Sequence, residues 1–196
     1  MTMPPRPSAS APDQLYVRAM EATRRVVDNV REDQWRAPTP CTEWTVRDIA
    51  NHLVSENLWS VELFAGKRIE EVGSRFDGDL VGSDPKVAYV RSTLAARSAV
   101  EAAGAMDVIC HLSAGDEPGA EYARQLFMDT LIHGWDIAQA TGQDARLPTD
   151  LVAACLPIAQ RLMNEWGGSQ WFAAPVPTAP HADAQTRLLA LAGRRA

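Results

Sequence analysis

Three residues of this chain, His52, Asp129 and His133, have the chemical types and spacing to bind one divalent metal ion. Asp129 and His133 form a D-x-x-x-H pair, and a spacing of four residues places both side chains on one face of an α-helix, about 6 Å apart. His52, from another predicted helix, completes a site that keeps positions open for water or substrate. Open positions distinguish catalytic zinc, nickel or iron sites from closed structural sites.

The same pair is also compatible with a purely structural role. The chain has 25 acidic residues among 196, so an acidic residue often lies four positions from a histidine by chance. In this second interpretation, His133 is a half-buried helix residue that is hydrogen-bonded to Asp129, and no metal is bound.

Three further residues are candidates to replace or support these ligands, and one cysteine is interpreted separately. Glu56, four residues after His52, is the main alternative acidic ligand, and His111 is an alternative nitrogen ligand. Asp136, three residues after the second histidine of the pair, either orients that ring or pairs with an arginine on the helix surface. Cys41 is expected to be a small buried apolar residue, with a redox role as the alternative.

Length and composition indicate one globular domain. A chain of 196 residues with 46% hydrophobic content can bury a sufficient core without disulfides or a structural metal. A metal site is therefore expected to serve function before folding. We predict a flexible Pro/Ser-rich N-terminus over residues 1–12 and a single helical domain over residues 13–196.

Charge and cysteine content restrict the partners and the compartment. The net charge of −6 and the absence of a Lys/Arg-rich stripe argue against nucleic acid. The three cysteines show no C-x-x-C spacing, no apolar run reaches about 18 residues, and the N-terminus lacks the apolar core of a signal peptide. These features predict a soluble cytoplasmic protein that acts on a small molecule, with no membrane partner and with a homodimer as an alternative to the monomer.

Hydrophobic periodicity predicts an all-α fold. Helix caps, glycines and prolines divide the chain into helical segments with a short extended segment at residues 106–112 and a loop at 115–119. The first helix is predicted to be capped by Asp13, and the second to open with a capping box at Thr45 and Asp48. We expect the first four helices to form an antiparallel four-helix bundle, with additional C-terminal helices. The predicted helices are 13–31, 45–66, 85–103, 120–141, 149–166 and 182–191.

Two sequence blocks resemble a known family. The first is W-x-x-P-T-P-C-T-E-W-T-V-R-D-I-A-N-H-L-V over residues 35–54, and the second is H-G-W-D-I-A-Q-A-T-G over residues 133–142. Together with R-L-L-A-L-A-G-R at residues 187–194, they resemble the actinobacterial branch of the DinB-like superfamily. This branch is similar to the metal-binding N-terminal domain of mycothiol-dependent maleylpyruvate isomerase.

The resemblance implies a fold, a metal and a class of reaction. It implies a DinB-like four-helix bundle that binds a divalent metal, most often zinc with nickel or iron as alternatives, through His52, Asp129 and His133. It further implies a thiol-dependent transferase or isomerase in which the metal activates a water or a low-molecular-weight thiol, with mycothiol as a cosubstrate. The competing interpretation is a non-catalytic metal-binding or small-ligand-binding helical bundle, and a metal-free scaffold is a third.

The chain departs from the isomerase pattern in two ways. Asp129 stands where the isomerase-like pattern has a glutamate, and the missing methylene shortens the reach to the metal by roughly 1.5 Å. The isomerase also has a C-terminal domain that supplies part of its active site, whereas 30 residues follow Trp166 in this sequence. The resemblance therefore does not extend to activity on maleylpyruvate itself.

Overall fold

The chain folds into helices with one short β-hairpin, as seen in a computed structural model that describes residues 11–166 and 173–195. Most of the predicted N-terminal segment, residues 1–10, lies outside the described residues. Within the described part, the hairpin separates the fourth helix from the fifth. The elements are α1 (Pro12–Asp28), α2 (Val46–Phe64), α3 (Ile69–Val72), α4 (Pro85–Val100), β1 (Ile109–Leu112), β2 (Gly115–Pro118), α5 (Gly119–Thr141), α6 (Thr149–Trp166) and α7 (Ala184–Leu191).

Helices α1, α2, α4 and α5 form the bundle. Helix α1 packs along α5, α2 packs along α4, and α2 also contacts α5, while α6 and α7 pack on each other beside this core. Tyr16, Met20 and Phe127 are fully buried where α1 meets α5, and Ile49 and Tyr89 are fully buried where α2 meets α4. The predicted four-helix bundle with additional C-terminal helices is therefore confirmed. None of the described helices is long and apolar enough to cross a membrane.

A buried polar network fixes the position of α2 in the bundle. The Tyr16 hydroxyl of α1 donates to Asn57 Oδ1 of α2 at 2.6 Å. The Asn57 side-chain nitrogen in turn donates to Ser92 Oγ of α4 at 3.0 Å. Because satisfied buried hydrogen bonds allow only one arrangement of their helices, this network sets the register of the α2 face that carries His52.

Helix α2 begins at the predicted capping box. Thr45 Oγ1 accepts from the backbone N–H of Asp48, and the Asp48 carboxylate accepts from the Thr45 backbone N–H at 2.8 Å. The paired caps satisfy donors that the first turn of a helix would otherwise leave free. The start of α2, and with it the position of His52 in the second turn, is therefore set locally by the sequence.

The predicted cap of the first helix is wrong. Helix α1 begins at Pro12 with Ala11 as N-cap, so that Asp13 lies within the first turn, and the helix ends at Asp28 and not at Arg31. Proline is pre-organised for the first helical position, and an acidic side chain in the first turn is favoured by the helix dipole. Both residues therefore favour a start one or two positions earlier than predicted.

The segment after α4 forms a hairpin. The predicted extended segment contains β1, but the predicted loop at 115–119 is wrong, because Gly115–Pro118 pairs with β1 as the antiparallel strand β2. The ladder places Ile109 opposite Pro118 and His111 opposite Asp116. A strand of four residues depends on its partner for hydrogen bonds, which a local sequence pattern does not reveal.

Helices α1 and α5 approach each other closely beside His133. Gly134 lies directly against Thr23, and a Cβ added to this glycine would fall 2.3 Å from Thr23 Oγ1. The same hydroxyl donates to the backbone carbonyl of Thr130 at 3.0 Å. The glycine therefore allows a contact that fixes the position of α1 along the axis of α5.

Candidate metal centre

Helices α2 and α5 bring the three predicted ligands together. His52 Nε2 lies 3.1 Å from Asp129 Oδ2, and His133 Nε2 lies 3.4 Å from Asp129 Oδ1. One potential ligand atom from each residue lies within 4.8 Å of the other two. The metal-free scaffold interpretation required these side chains to point apart, and they do not. The same distances are also those expected when the two histidines contact Asp129 without a metal.

The spacing of these atoms fits a divalent ion. Ligand atoms bound to a tetrahedral zinc at 2.0–2.1 Å lie about 3.3 Å from each other. Each histidine nitrogen lies at about this distance from one oxygen of Asp129, a separation that a hydrogen bond also gives. Two imidazoles and one carboxylate leave at least one position for water or substrate. The shorter aspartate side chain therefore still brings its carboxylate to both histidines.

The second nitrogen of His133 is held by a buried ion pair. His133 Nδ1 lies 3.0 Å from Asp136 Oδ2, and Asp136 is fully buried. Arg194 donates to the same carboxylate through Nε at 3.2 Å and through Nη2 at 2.8 Å. Such a carboxylate holds the proton on Nδ1, so that the Nε2 lone pair is directed at the centre. Asp136 combines the two interpretations, because it contacts His133 and also pairs with an arginine, but it is fully buried and does not lie on the helix surface.

Arg194 was not expected at the site. The sequence offers no local sign of this role, because Arg194 follows α7 and its partner Asp136 lies 58 positions earlier on α5. The last turn of α7 directs it inward, since the Arg194 backbone N–H donates to Leu189 O at 2.8 Å. The resemblance of residues 187–194 to the family was the one signal that could have identified it.

The charges at the site depend on one another. Burial alone would raise the pKa of Asp129, but His52 and His133 hold it well below its usual range. Burial alone would lower the pKa of His133, but Asp129 and then Asp136 raise it to about 9. At neutral pH and without a metal, His133 therefore holds a proton between two carboxylates, and a cation bound at this centre would take the place of that proton.

The loop before α2 packs against the two histidines. The ring of Trp44 stacks on His133 with the ring centroids 5.6 Å apart, and it lies 4.9 Å from the ring of His52. Glu43, immediately before it, has a φ of 76°, a conformation that non-glycine residues rarely adopt. Trp44 thus packs on the imidazole rings of His52 and His133 and does not line the cavity described below.

Cys41 belongs to the same loop. Its sulfur comes within 4.8 Å of potential ligand atoms of His133 and Asp136, which makes a second group of metal-binding types. The Asp136 carboxylate already contacts Arg194 and His133. Its oxygens are therefore engaged in that ion pair, which disfavours a metal bound between Asp136 and Cys41. Cys41 is half-buried, and burial raises the pKa of its thiol despite the nearby Arg194.

A cavity of about 390 Å³ opens beside His52 and Asp129. This volume lies within the range of small-molecule sites. Its walls are mainly apolar, and the turn of the β-hairpin closes one side at residues 112–114. Two polar side chains lie near the ligands on the same helices: Glu56, four residues after His52, and Gln125, four residues before Asp129.

The two alternative metal ligands, Glu56 and His111, do not belong to the group formed by the three predicted ligands. Glu56 faces the cavity, and within the described residues it belongs to no group with metal-binding geometry. His111 is paired with Asp116 across the hairpin at 2.7 Å and is likewise outside any such group in the part of the chain described. Asp136 and Cys41 lie beside His133, and Glu56 lies in the cavity wall with His52 and Asp129.

Comparison with known proteins identifies the family. The sequence profile of the mycothiol maleylpyruvate isomerase N-terminal domain matches residues 16–138, which include all three predicted ligands. The chain belongs to this family. The resemblance drawn from the two sequence blocks is confirmed, and members of this DinB-like family bind a metal.

Relatives and solved structures agree with this assignment. The uncharacterized proteins Rv0738 and MT0763 of Mycobacterium tuberculosis are each 35% identical over 153 residues, covering 78% of this chain and 80% of theirs. The crystal structure of the mycothiol-dependent maleylpyruvate isomerase matches with a TM-score of 0.61 at 13% identity. That match covers 83% of this chain and 72% of the isomerase chain. It confirms the fold.

Proposed function

We propose that this family member is a metal-dependent enzyme that uses a low-molecular-weight thiol such as mycothiol in a transfer or isomerisation reaction. The observation that carries the proposal is the position of the cavity, which opens directly beside His52 and Asp129. A substrate in this cavity would lie within reach of the open coordination position. Family membership supports a thiol as the second reactant.

His52, Asp129 and His133 are the residues that would hold the metal. A divalent ion at this position would lower the pKa of a coordinated water or thiol and so supply a nucleophile at neutral pH. Asp129 contributes negative charge between the two imidazoles, and Asp136 keeps the lone pair of His133 directed inward. Zinc is the metal we expect, with nickel or iron as alternatives.

Glu56 is the residue best placed to transfer a proton. It lines the cavity one turn away from His52. Burial raises the pKa of its carboxyl group, although His52 acts in the opposite direction. A carboxyl group with a raised pKa beside a reacting molecule is suited to general acid–base catalysis. This group favours an enzyme over the alternative, a non-catalytic metal-binding or small-ligand-binding bundle.

The test measures metal content, thiol binding and thiol transfer on one preparation. Mycothiol is titrated calorimetrically into the zinc-loaded full-length protein, and its transfer to 1-chloro-2,4-dinitrobenzene is followed by absorbance. In this assay, a sulfur–carbon bond forms while chloride and a proton leave. We expect mycothiol to bind, with a transfer rate above the uncatalysed background, and both signals to be lost in His133→Ala.

The matched control is His181→Ala, which removes an exposed histidine distant in sequence from the centre. This variant should bind and react as the wild type does. One metal ion per chain without thiol binding or transfer would contradict the proposal and support the non-catalytic alternative.

A further inference from the structure

The polarity of the cavity changes along its length. On α2, the lining side chains follow one another on a single helix face from His52 and Glu56 to Trp59 and Leu63. On α5, they run in the opposite sequence direction from Asp129 through Gln125 to Tyr122 and its apolar ring. The end beside the candidate metal is therefore polar, and the rest of the lining is mainly apolar apart from Ser113 and the Tyr122 hydroxyl. A molecule that fills this cavity needs an apolar body and a polar group at one end.

The polar end contains an amide that has no partner. The side-chain nitrogen of Gln125 is buried, and it forms no hydrogen bond with the described residues. Buried polar groups of native proteins are nearly always paired, and an unpaired donor in a cavity wall favours a ligand that brings an acceptor. After rotation of the terminal amide, an oxygen atom of a bound molecule could accept this hydrogen bond.

The charge of the cavity excludes one class of molecule. Glu56 and Asp129 are acidic, and no arginine or lysine occurs among the lining residues, all of which belong to the described part of the chain. A metal ion would offset the charge of Asp129, and among the lining residues only His52 acts against the charge of Glu56. Maleylpyruvate carries two carboxylates, so it would place a second negative charge where the walls provide no cation.

We propose that the cavity selects a neutral, mainly apolar molecule with one hydrogen-bond-accepting oxygen, such as a ketone, and rejects dicarboxylates. Gln125 is the residue that recognises the oxygen, and Glu56 is the residue that repels anions. This inference rests on the proposed function, because it names the substrate class of the same site. It also separates this protein from an enzyme that acts on maleylpyruvate.

The experiment compares the binding of three small aromatic molecules of similar size. Acetophenone carries a carbonyl oxygen, ethylbenzene lacks it, and phthalate carries two carboxylates. Binding of each to the zinc-loaded full-length protein is measured by ligand-observed NMR and by quenching of tryptophan fluorescence. We expect acetophenone to bind more tightly than ethylbenzene, and phthalate to bind most weakly.

Variants assign the two roles to particular residues. Gln125→Leu should weaken acetophenone binding about five- to tenfold, as for one lost hydrogen bond, and should leave ethylbenzene binding unchanged. Gln139→Leu is the matched control, because it changes an exposed glutamine on the same helix. Glu56→Gln should improve phthalate binding and leave acetophenone binding unchanged. Should Gln125→Leu fail to fold, as judged by circular dichroism, Gln125→Met tests the same loss with an unbranched side chain.

The outcomes separate this inference from the proposed function. Phthalate binding tighter than acetophenone binding, or equal effects of Gln125→Leu and Gln139→Leu, would overturn the inference and leave thiol transfer untouched. Selective binding of acetophenone by a protein that neither binds nor transfers mycothiol would support the cavity assignment and overturn the proposed function.

Discussion

The two sides of the candidate metal centre differ in how completely their polar groups are paired. Behind His133, the fully buried Asp136 is bonded both to the imidazole and to Arg194. In front, toward the cavity, Gln125 has an unpaired amide nitrogen. Buried groups that are paired hold a structure in place, whereas unpaired groups are kept where a ligand completes them. We therefore expect the rear side to position His133 and the front side to bind the reacting molecule.

The largest effect on metal binding should come from removing one of the two predicted histidine ligands. His52→Ala and His133→Ala are each expected to abolish stoichiometric metal binding, since losing one of three protein ligands removes most of the chelation. Elemental analysis of the purified proteins measures this, with His111→Ala as a control histidine outside the centre. Full occupancy in either ligand variant would exclude that histidine from the site.

Asp129 tests whether charge or shape matters more at the centre. Asp129→Asn keeps the shape and removes the negative charge, so it should weaken metal binding strongly. Asp129→Glu should bind more tightly than Asp129→Asn, because it keeps the charge and matches the isomerase-like pattern. Competition with a chelator of known affinity gives both constants. Equal affinity of Asp129→Asn and wild type would remove this carboxylate from the ligand set.

Substitution of Arg194 tests directly whether the rear side of the centre, and not the cavity side, controls metal affinity. Arg194→Gln leaves Asp136 buried without its cation, and disturbance of such a supporting carboxylate typically lowers metal affinity about 10- to 100-fold. Arg195→Gln, at the exposed neighbouring position, is the matched control. On the cavity side, Gln125→Leu should leave metal affinity unchanged. Similar metal affinities for the Arg194 and Gln125 variants would remove the distinction between a positioning side and a binding side.

The proton on His133 should make the metal affinity depend on pH. In the metal-free protein, burial lowers the pKa of His133, but Asp129 and Asp136 raise it to about 9. Below that pH, a metal ion must displace this proton, while Asp129 is already ionised. Metal affinity should therefore rise about tenfold from pH 7 to pH 8. Chelator competition at several pH values measures the slope, and an affinity independent of pH would contradict the assignment of His133.

The smallest effect should be on folding. Removal of the metal by chelation should lower the melting temperature by roughly 5–10 °C and leave the helices intact, because the core is large enough to fold without it. Thermal melts followed by circular dichroism measure this. Loss of helicity in the metal-free protein would make the centre structural and would weaken the distinction between its two sides.

Local spacing is what made the centre predictable from sequence. Asp129 and His133 lie on one helix, so their relative position follows from helix geometry alone. The cap at Thr45 and Asp48 fixed the start of α2 and placed His52 in its second turn. The family resemblance then joined the two helices. Whether these residues bind a metal remains a prediction that the experiments above test.

Tertiary contacts are what the sequence could not provide. The role of Asp136 depended on Arg194, a partner that only the docking of the C-terminal segment brings near. Strand β2 needed β1 beside it, and Gln125 has a functional meaning only because the cavity leaves it unpaired. Each of these features depends on residues that are distant in the chain, so no local pattern indicates them.

The contact between Gly134 and Thr23 suggests that a position with no chemistry of its own controls the geometry of the centre. A side chain at 134 would overlap the Thr23 side chain of α1, and His133 is the adjacent residue. A saturation scan of α5 should therefore find position 134 about as intolerant as the ligands themselves. The precision of the metal site would then depend on how closely the α5 backbone can approach the Thr23 side chain on its far side.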